Sequence, residues 1–143
     1  MSGQAEAGRQ LTVVMPIYNE RDTIEQVVGM VNDVSLKIEL IAVDDGSTDG
    51  SCDILEGLVA DGRIDRLIVH EQNRGKGAAL ATGFAAASGE IVIVQDADLE
   101  YDPREYRKLL QPLLEGKADV VFGSRVMGGE PHRVLDFGHY AGH

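Results

Sequence analysis

Apolar, β-branched runs alternate along this chain with stretches of helical periodicity, and most of the runs end in a polar cluster rich in Asp, Asn and Gly. Residues 11–15 form the first run, stopped by Pro16. Ile24, Val27, Val28 and Val31 follow at i, i+3, i+4 and i+7, the spacing of one helical face. Residues 38–43 repeat the strand signal and run into Asp44-Asp45-Gly46-Ser47-Thr48-Asp49-Gly50, after which Ile54, Leu55, Leu58 and Val59 mark a second helix. Residues 66–70 predict a third strand, 71–77 a loop, 78–87 an alanine-rich helix of high propensity, and 91–95 a fourth strand. Pro103 fits a first helical position, with Tyr106, Leu109, Leu110, Leu113 and Leu114 as the buried stripe up to Gly116, and residues 119–123 read as a fifth strand. Such alternation with short links implies right-handed crossovers and an α/β fold: a mostly parallel sheet with helices on both faces. At 143 residues this is about one domain.

In a parallel sheet every βα loop opens at the same edge, and ligands of open α/β sheets bind beyond the carboxyl ends of the strands. Four clusters are therefore expected together: Pro16-Ile17-Tyr18-Asn19-Glu20, Asp44-Asp45-Gly46-Ser47, Asn73-Arg74-Gly75-Lys76-Gly77 and Asp96-Ala97-Asp98. Asp96 and Asp98, alternate acids at a strand end, suit a hard cation, with Glu100 in line as a third oxygen. A solvated surface turn is the rival. Asn19 either caps the helix that follows, contacts a ligand, or does both, and Ser47 and Thr48 suit a cap on the second helix. Asp44 and Asp45 follow an apolar strand, so the first is expected to be half-buried and able to accept hydrogen bonds from a base or ribose. The loop at 73–77 opens a helix whose N–H groups and dipole would receive an anion, with Arg74 and Lys76 adding charge; a plain solvated loop competes. Arg125 lies past the fifth strand, where it binds a phosphate or pairs with an acid. His70 at a strand end suits a structural role, His132 faces a ligand or water, and His139 and His143 are not read as metal ligands. Neither G-x-x-x-x-G-K-[ST] nor an early G-x-G-x-x-G is present, which disfavours P-loop nucleotidases and dinucleotide-binding dehydrogenases.

A formal net charge of −11 argues against nucleic acid as a partner. Cys52 is the single cysteine, so no internal disulfide forms and a reducing, cytoplasmic compartment is expected. There is no secretory signal in the first thirty residues and no apolar run of about 18, the length that spans a bilayer.

Taken together, Val14-Met15-Pro16-Ile17-Tyr18-Asn19-Glu20, Val43-Asp44-Asp45-Gly46-Ser47-Thr48-Asp49-Gly50, Asn73-Arg74-Gly75-Lys76-Gly77-Ala78, Asp96-Ala97-Asp98-Leu99-Glu100 and Gly123-Ser124-Arg125 resemble the family 2 glycosyltransferases. The likeness is to the branch of dolichyl-phosphate mannosyltransferase and bacterial polyprenyl-phosphate glycosyltransferases. It implies a Rossmann-like, nucleotide-sugar binding GT-A domain over residues 11–125. Residues 1–10 read as a loose arm, and the resemblance implies, at 126–143, the start of an acceptor-side region, incomplete or poorly ordered. Donor contacts are implied at Pro16, Tyr18, Asn19, Glu20, Asp45, Lys76, Asp96 and Ala97, and Mg²⁺ or Mn²⁺ ligands at Asp96, Asp98 and Glu100. Asp98 and Arg125 are the implied catalytic residues, Arg125 near the phosphates. The implied reaction is metal-dependent, inverting transfer from a UDP- or GDP-sugar, with a polyprenyl or dolichyl phosphate as acceptor at the cytoplasmic face of a membrane. The alternatives are a non-catalytic nucleotide-sugar binding fragment and, more distantly, a sugar-phosphate nucleotidyltransferase or an aspartyl phosphatase.

Overall fold

The computed structural model describes residues 11–99, 102–106, 108, 110 and 133–136. Its elements in chain order are β1 (Leu11–Ile17), α1 (Ile24–Asn32), β2 (Ile38–Asp45), α2 (Ser51–Ala60), β3 (Arg66–His70), α3 (Lys76–Ala86), β4 (Ile91–Val94), a 3-10 turn (Pro103–Glu105) and β5 (Arg133–Asp136). The strands pair in parallel in the order β3-β2-β1-β4-β5. The chain therefore winds from β1 outward to β2 and β3, then returns to place β4 on the other side of β1.

Alternation of side chains along each strand divides the core between two faces. Val13, Met15 and Ile17 of β1, Leu40 and Ala42 of β2, and Ile91 and Ile93 of β4 pack against Ile24, Val27, Val28 and Val31 of α1 and Leu55 and Leu58 of α2. Tyr106 and Leu110 close the same face. On the opposite face Val14, Val92 and Val94 meet Phe84, and Ile41 and Val43 meet Ala79, both from α3. The four α1 residues named by periodicity are all buried, because that spacing puts them on the stripe turned to the sheet. Among the described residues no helix is long and apolar enough to cross a membrane.

Several boundaries differ from expectation. β2 continues through Asp44 and Asp45, which pair in register with Val69 and His70 of β3. The alanine-rich helix starts at Lys76, two positions earlier than its alanine run suggests. The segment after Pro103 begins as a 3-10 turn, with the Asp102 carboxylate accepting from Arg104 N–H at 2.9 Å. Strand β5 lies beyond the last apolar run of the sequence, residues 119–123, and pairs with the whole of β4. The strand expected at 119–123, Leu109, Leu113, Leu114, Gly116, Glu100, Arg125, His132, His139, His143 and the arm at 1–10 lie outside the described residues.

The small residues of α3 let it approach β1 closely: a Cβ at Gly83 would overlap Val14 Cγ1. Val14 is fully buried and β-branched, so it has little freedom to yield. Gly83→Ala is expected to destabilise the fold by about 1–3 kcal/mol in urea denaturation. Combined with Val14→Ala, which vacates the overlapping atoms, the loss should be smaller than the sum of the two single losses.

Candidate functional site

The strand order reverses at β1, so the carboxyl ends of β1 and β4 diverge into loops on opposite sides of a crevice, the place where open α/β sheets bind ligands. A cavity of about 390 Å³ opens there. It is lined by Pro16, Ile17, Tyr18 and Glu20 after β1, Asp45 at the end of β2, Asn73, Lys76 and Ala79 around the start of α3, and Asp96, Ala97 and Asp98 after β4. All four polar clusters thus contribute to one cavity. Of the sequence-named residues, Pro16, Tyr18, Glu20, Asp45, Lys76, Asp96, Ala97 and Asp98 are brought together; Asn19 is not on the lining, and Glu100 and Arg125 are outside the described residues.

Asp45 is 3% exposed, and its carboxylate is the hub of the site. Oδ1 accepts from Arg74 N–H at 3.0 Å and lies 2.8 Å from His70 Nδ1, while Oδ2 accepts from Gly75 N–H at 2.8 Å. Asn73 Nδ2 donates to the Asp45 carbonyl at 3.3 Å. Burial alone would raise the Asp45 pKa; the hydrogen bonds from His70, Arg74 and Gly75 outweigh it and leave the carboxyl below its usual range. This corrects the reading of the 73–77 loop: the anion that receives the Arg74 and Gly75 N–H groups is Asp45 itself. Gly46 lets the next turn form. Its φ is +76°, and a Cβ there would stand 2.5 Å from Asn73 N.

Asp44 is also buried, at 1% exposed, rather than half-buried. As the neighbour of Asp45 in a strand it projects to the opposite face and does not line the cavity. Its Oδ1 has no hydrogen-bond partner. Asn19 does not cap α1, whose N-cap is Thr23. Instead, at φ 54°, it clasps the neighbouring loop: Oδ1 accepts from Thr48 N–H at 2.8 Å, and its own N–H donates to Ser47 Oγ at 2.9 Å. Ser47 and Thr48 consequently serve the clasp and not a cap on α2, whose N-cap is Gly50. Asp49 Oδ1 accepts from the N–H of Ser51, the first residue of α2.

The turn at Asp96-Ala97-Asp98 is held from beneath. Gln95 Nε2 donates to the Asp96 carbonyl at 3.1 Å, Tyr106 Oη donates to Gln95 Oε1 at 2.7 Å, and Thr23 Oγ1 donates to the Ala97 carbonyl at 2.6 Å. Gln95 and Tyr106 are fully buried, and burial pushes the Tyr106 phenol pKa up, which keeps it a donor. Above the turn, Lys76 Nζ stands 2.9 Å from Asp96 Oδ1. Burial, then the charges of Asp98, Asp96 and Asp49, raise the Glu20 pKa above the ordinary carboxylate range. Four carboxylates and one ammonium therefore line the cavity.

The model of the family described as glycosyl transferase family 2 matches residues 12–134. The chain belongs to that family. It is 30% identical over 122 residues to a dolichol-phosphate mannosyltransferase of Pyrococcus furiosus, an alignment covering 84% of this chain and 34% of that protein. It is 36% identical over 118 residues to an undecaprenyl-phosphate 4-deoxy-4-formamido-L-arabinose transferase of Proteus mirabilis, covering 78% and 36%. Among solved structures, the mannosyltransferase PcManGT from Pyrobaculum calidifontis, in complex with GDP-Man and Mn²⁺, superposes with a TM-score of 0.65 at 29% identity, covering 78% of this chain and 33% of that one. Glucosyl-3-phosphoglycerate synthase from Mycobacterium tuberculosis, in complex with Mn²⁺, UDP and glucosyl-3-phosphoglycerate, gives 0.62 at 37% identity, covering 78% and 42%. These likenesses place the α/β sheet in the nucleotide-sugar binding GT-A class. The chain spans between 34% and 41% of the length of the curated relatives it matches.

For this family 2 chain the donor set suits a hard divalent cation. Asp96 and Asp98 offer oxygens on a turn held by Thr23 and Gln95, the latter braced by Tyr106, and Glu20 adds a third carboxylate to the same lining. Among the described residues no three His, Cys, Asp or Glu side chains form a metal-ligand group. Two carboxylates suffice for Mg²⁺-type sites, whose remaining positions are taken by water and substrate phosphates.

Because the folded-state pKa of Asp45 is depressed, its ionised form stabilises the fold above the unfolded-state value of about 3.9, and that stabilisation is lost as pH falls through the lower, folded value. In urea titrations Asp45→Asn should be less stable than the parent at pH 7, and the gap should close below about pH 4. A gap independent of pH would contradict an ionised, hydrogen-bonded Asp45.

Proposed function

We propose that this chain is the donor-binding part of a metal-dependent, inverting glycosyltransferase. It would move a sugar from a UDP- or GDP-sugar to a polyprenyl or dolichyl phosphate at the cytoplasmic face of a membrane. The observation that supports it best is the cavity at the β1–β4 switch, where an acceptor for a base, a carboxylate pair for a cation and a single ammonium line one space.

Each residue then has a task that follows from its chemistry. Asp45, whose ionised carboxylate only accepts, takes an N–H of the base. Tyr18, 47% exposed on the cavity wall beside Pro16, offers a ring face to the base. Asp96 and Asp98 hold the divalent cation, Mg²⁺ or Mn²⁺, and Lys76 lies within reach of the diphosphate. By resemblance, Glu100 adds a further oxygen on the metal side and Arg125 grips a phosphate. A bound divalent cation stabilises the negative charge that builds on the leaving diphosphate oxygens. The acceptor attacks the anomeric carbon from the face opposite that leaving group, which inverts the centre. A lipid phosphate is already anionic, so no side chain is needed as general base.

Electrostatics supports the metal requirement independently. A nucleoside diphosphate is itself a polyanion, and it would enter a corner holding Glu20, Asp96 and Asp98 against one Lys76. Like charges gathered in one cavity repel unless a cation intervenes. A second reading, nucleotide-sugar binding without transfer, is favoured by the composition of the lining, where every named task concerns the donor or the cation. Release of UDP or GDP from a nucleotide sugar upon addition of lipid phosphate separates the two.

In a thermal-shift panel, UDP or GDP should raise Tm only with Mn²⁺ or Mg²⁺ present. At a hundredfold excess over Kd the stabilisation is about 2.7 kcal/mol, a shift of several degrees. Asp98→Ala should abolish it. A melting temperature unmoved by every nucleotide and metal combination would overturn the proposal.

A further inference from the structure

His70 is a buried titratable group for which the donor and cation chemistry above has no use. It ends β3, is 8% exposed, and bridges two elements. Its Nδ1 lies 2.8 Å from Asp45 Oδ1, and its Nε2 lies 2.8 Å from Thr82 Oγ1 on α3. We propose that His70, steadied by Thr82, is a positioning residue that fixes the Asp45 carboxylate so that a single acceptor site faces the base of the donor.

The hydrogen-bond inventory leads there. An ionised carboxylate offers about four lone-pair positions. On Asp45, His70 Nδ1 and Arg74 N–H occupy Oδ1, and Gly75 N–H takes one position on Oδ2. The position left over is on Oδ2, and Asp45 lines the cavity. A proton on Nδ1 lets that nitrogen donate to the ionised Asp45, and Nε2 meets the Thr82 hydroxyl, which can donate or accept. Both ring nitrogens are satisfied; the acceptor-only Asp45 calls for the proton on Nδ1, and Thr82 holds the other side of the ring. Without His70, Oδ1 keeps only the Arg74 N–H, which leaves a second acceptor position unfilled and the carboxylate less tightly oriented.

The consequence is base selectivity. A fixed, acceptor-only Oδ2 takes the N–H on the pairing edge of uracil or guanine, whereas cytosine and adenine present a ring-nitrogen acceptor at the equivalent position. A site built around a buried polar group rejects the mismatched analogue because both groups are left unpaired. A merely structural His70 would contribute to stability and leave the discrimination untouched.

This proposal rests on the donor-site reading, and the experiment separates the two. Dissociation constants are measured calorimetrically with Mn²⁺ for UDP, CDP, GDP and ADP and for pyrophosphate, which has no base. The parent should prefer one keto-base nucleotide over its amino-base counterpart. His70→Leu should reduce that preference about tenfold or more while binding Mn²⁺-pyrophosphate as the parent does. His70→Asn, which keeps a donor near the Nδ1 position, should retain the preference, and Thr82→Val should lower it severalfold. If His70→Leu fails to fold, the Asn and Val variants decide by the same criteria. An unmoved preference in His70→Leu, or in Thr82→Val where that variant decides, overturns the role of His70 and leaves the donor site standing. Absence of any nucleotide binding by the parent overturns the donor site and, with it, the role of His70.

Discussion

The Asp45 carboxylate ties together four parts of the fold that are distant in sequence. Its side chain is buried at the end of β2, yet it accepts from the loop at Arg74 and Gly75 and pairs with His70 at the end of β3, which in turn reaches Thr82 on α3. A buried charge with this many donors is stabilised rather than penalised, and removing the carboxylate would leave several donors without partners at once. The loop that opens α3, immediately before Lys76, is anchored to that carboxylate by the N–H groups of Arg74 and Gly75.

A second set of contacts fixes the opposite wall. Thr23, Gln95 and Tyr106 are drawn from α1, the end of β4 and the segment after Pro103, and together they fix the carbonyls of Asp96 and Ala97 through short hydrogen bonds. The acids of that turn are thus presented by backbone held from below, on a rigid scaffold, which is what precise cation placement requires. The Lys76–Asp96 contact at 2.9 Å then joins the two walls across the cavity. Both sets of contacts converge because the strand order reverses at β1 and brings β4 beside it.

The periodicity of Ile24, Val27, Val28 and Val31, and the apolar runs of the first four strands, were legible in the sequence because burial against a sheet imposes those spacings directly. So was the gathering of the strand-end clusters, which follows from parallel pairing alone. The partners within the clusters were not legible. Asn19, Ser47 and Thr48 carry the same residue types whether they cap a helix or clasp a neighbouring loop, and only the left-handed backbone at Asn19 decides between them. The N–H groups of Arg74 and Gly75 looked open to a ligand anion because the internal one, Asp45, is 29 and 30 residues away. His70 gave one usable signal, a polar residue at the end of a strand, whereas Thr82, in the middle of α3, gave none. β5 was missed because four residues, Arg-Val-Leu-Asp, are too few to show a period.

Paramagnetic broadening by Mn²⁺ tests the placement of the cation and donor most directly. With UDP or GDP present, substoichiometric Mn²⁺ should bleach the amide signals of Asp96, Ala97 and Asp98 first, then those of Glu20 and Lys76, and spare the far end of the sheet around Asn32 and Arg63. Broadening centred elsewhere, or spread evenly over the surface, would contradict a cation site at the junction of β1 and β4.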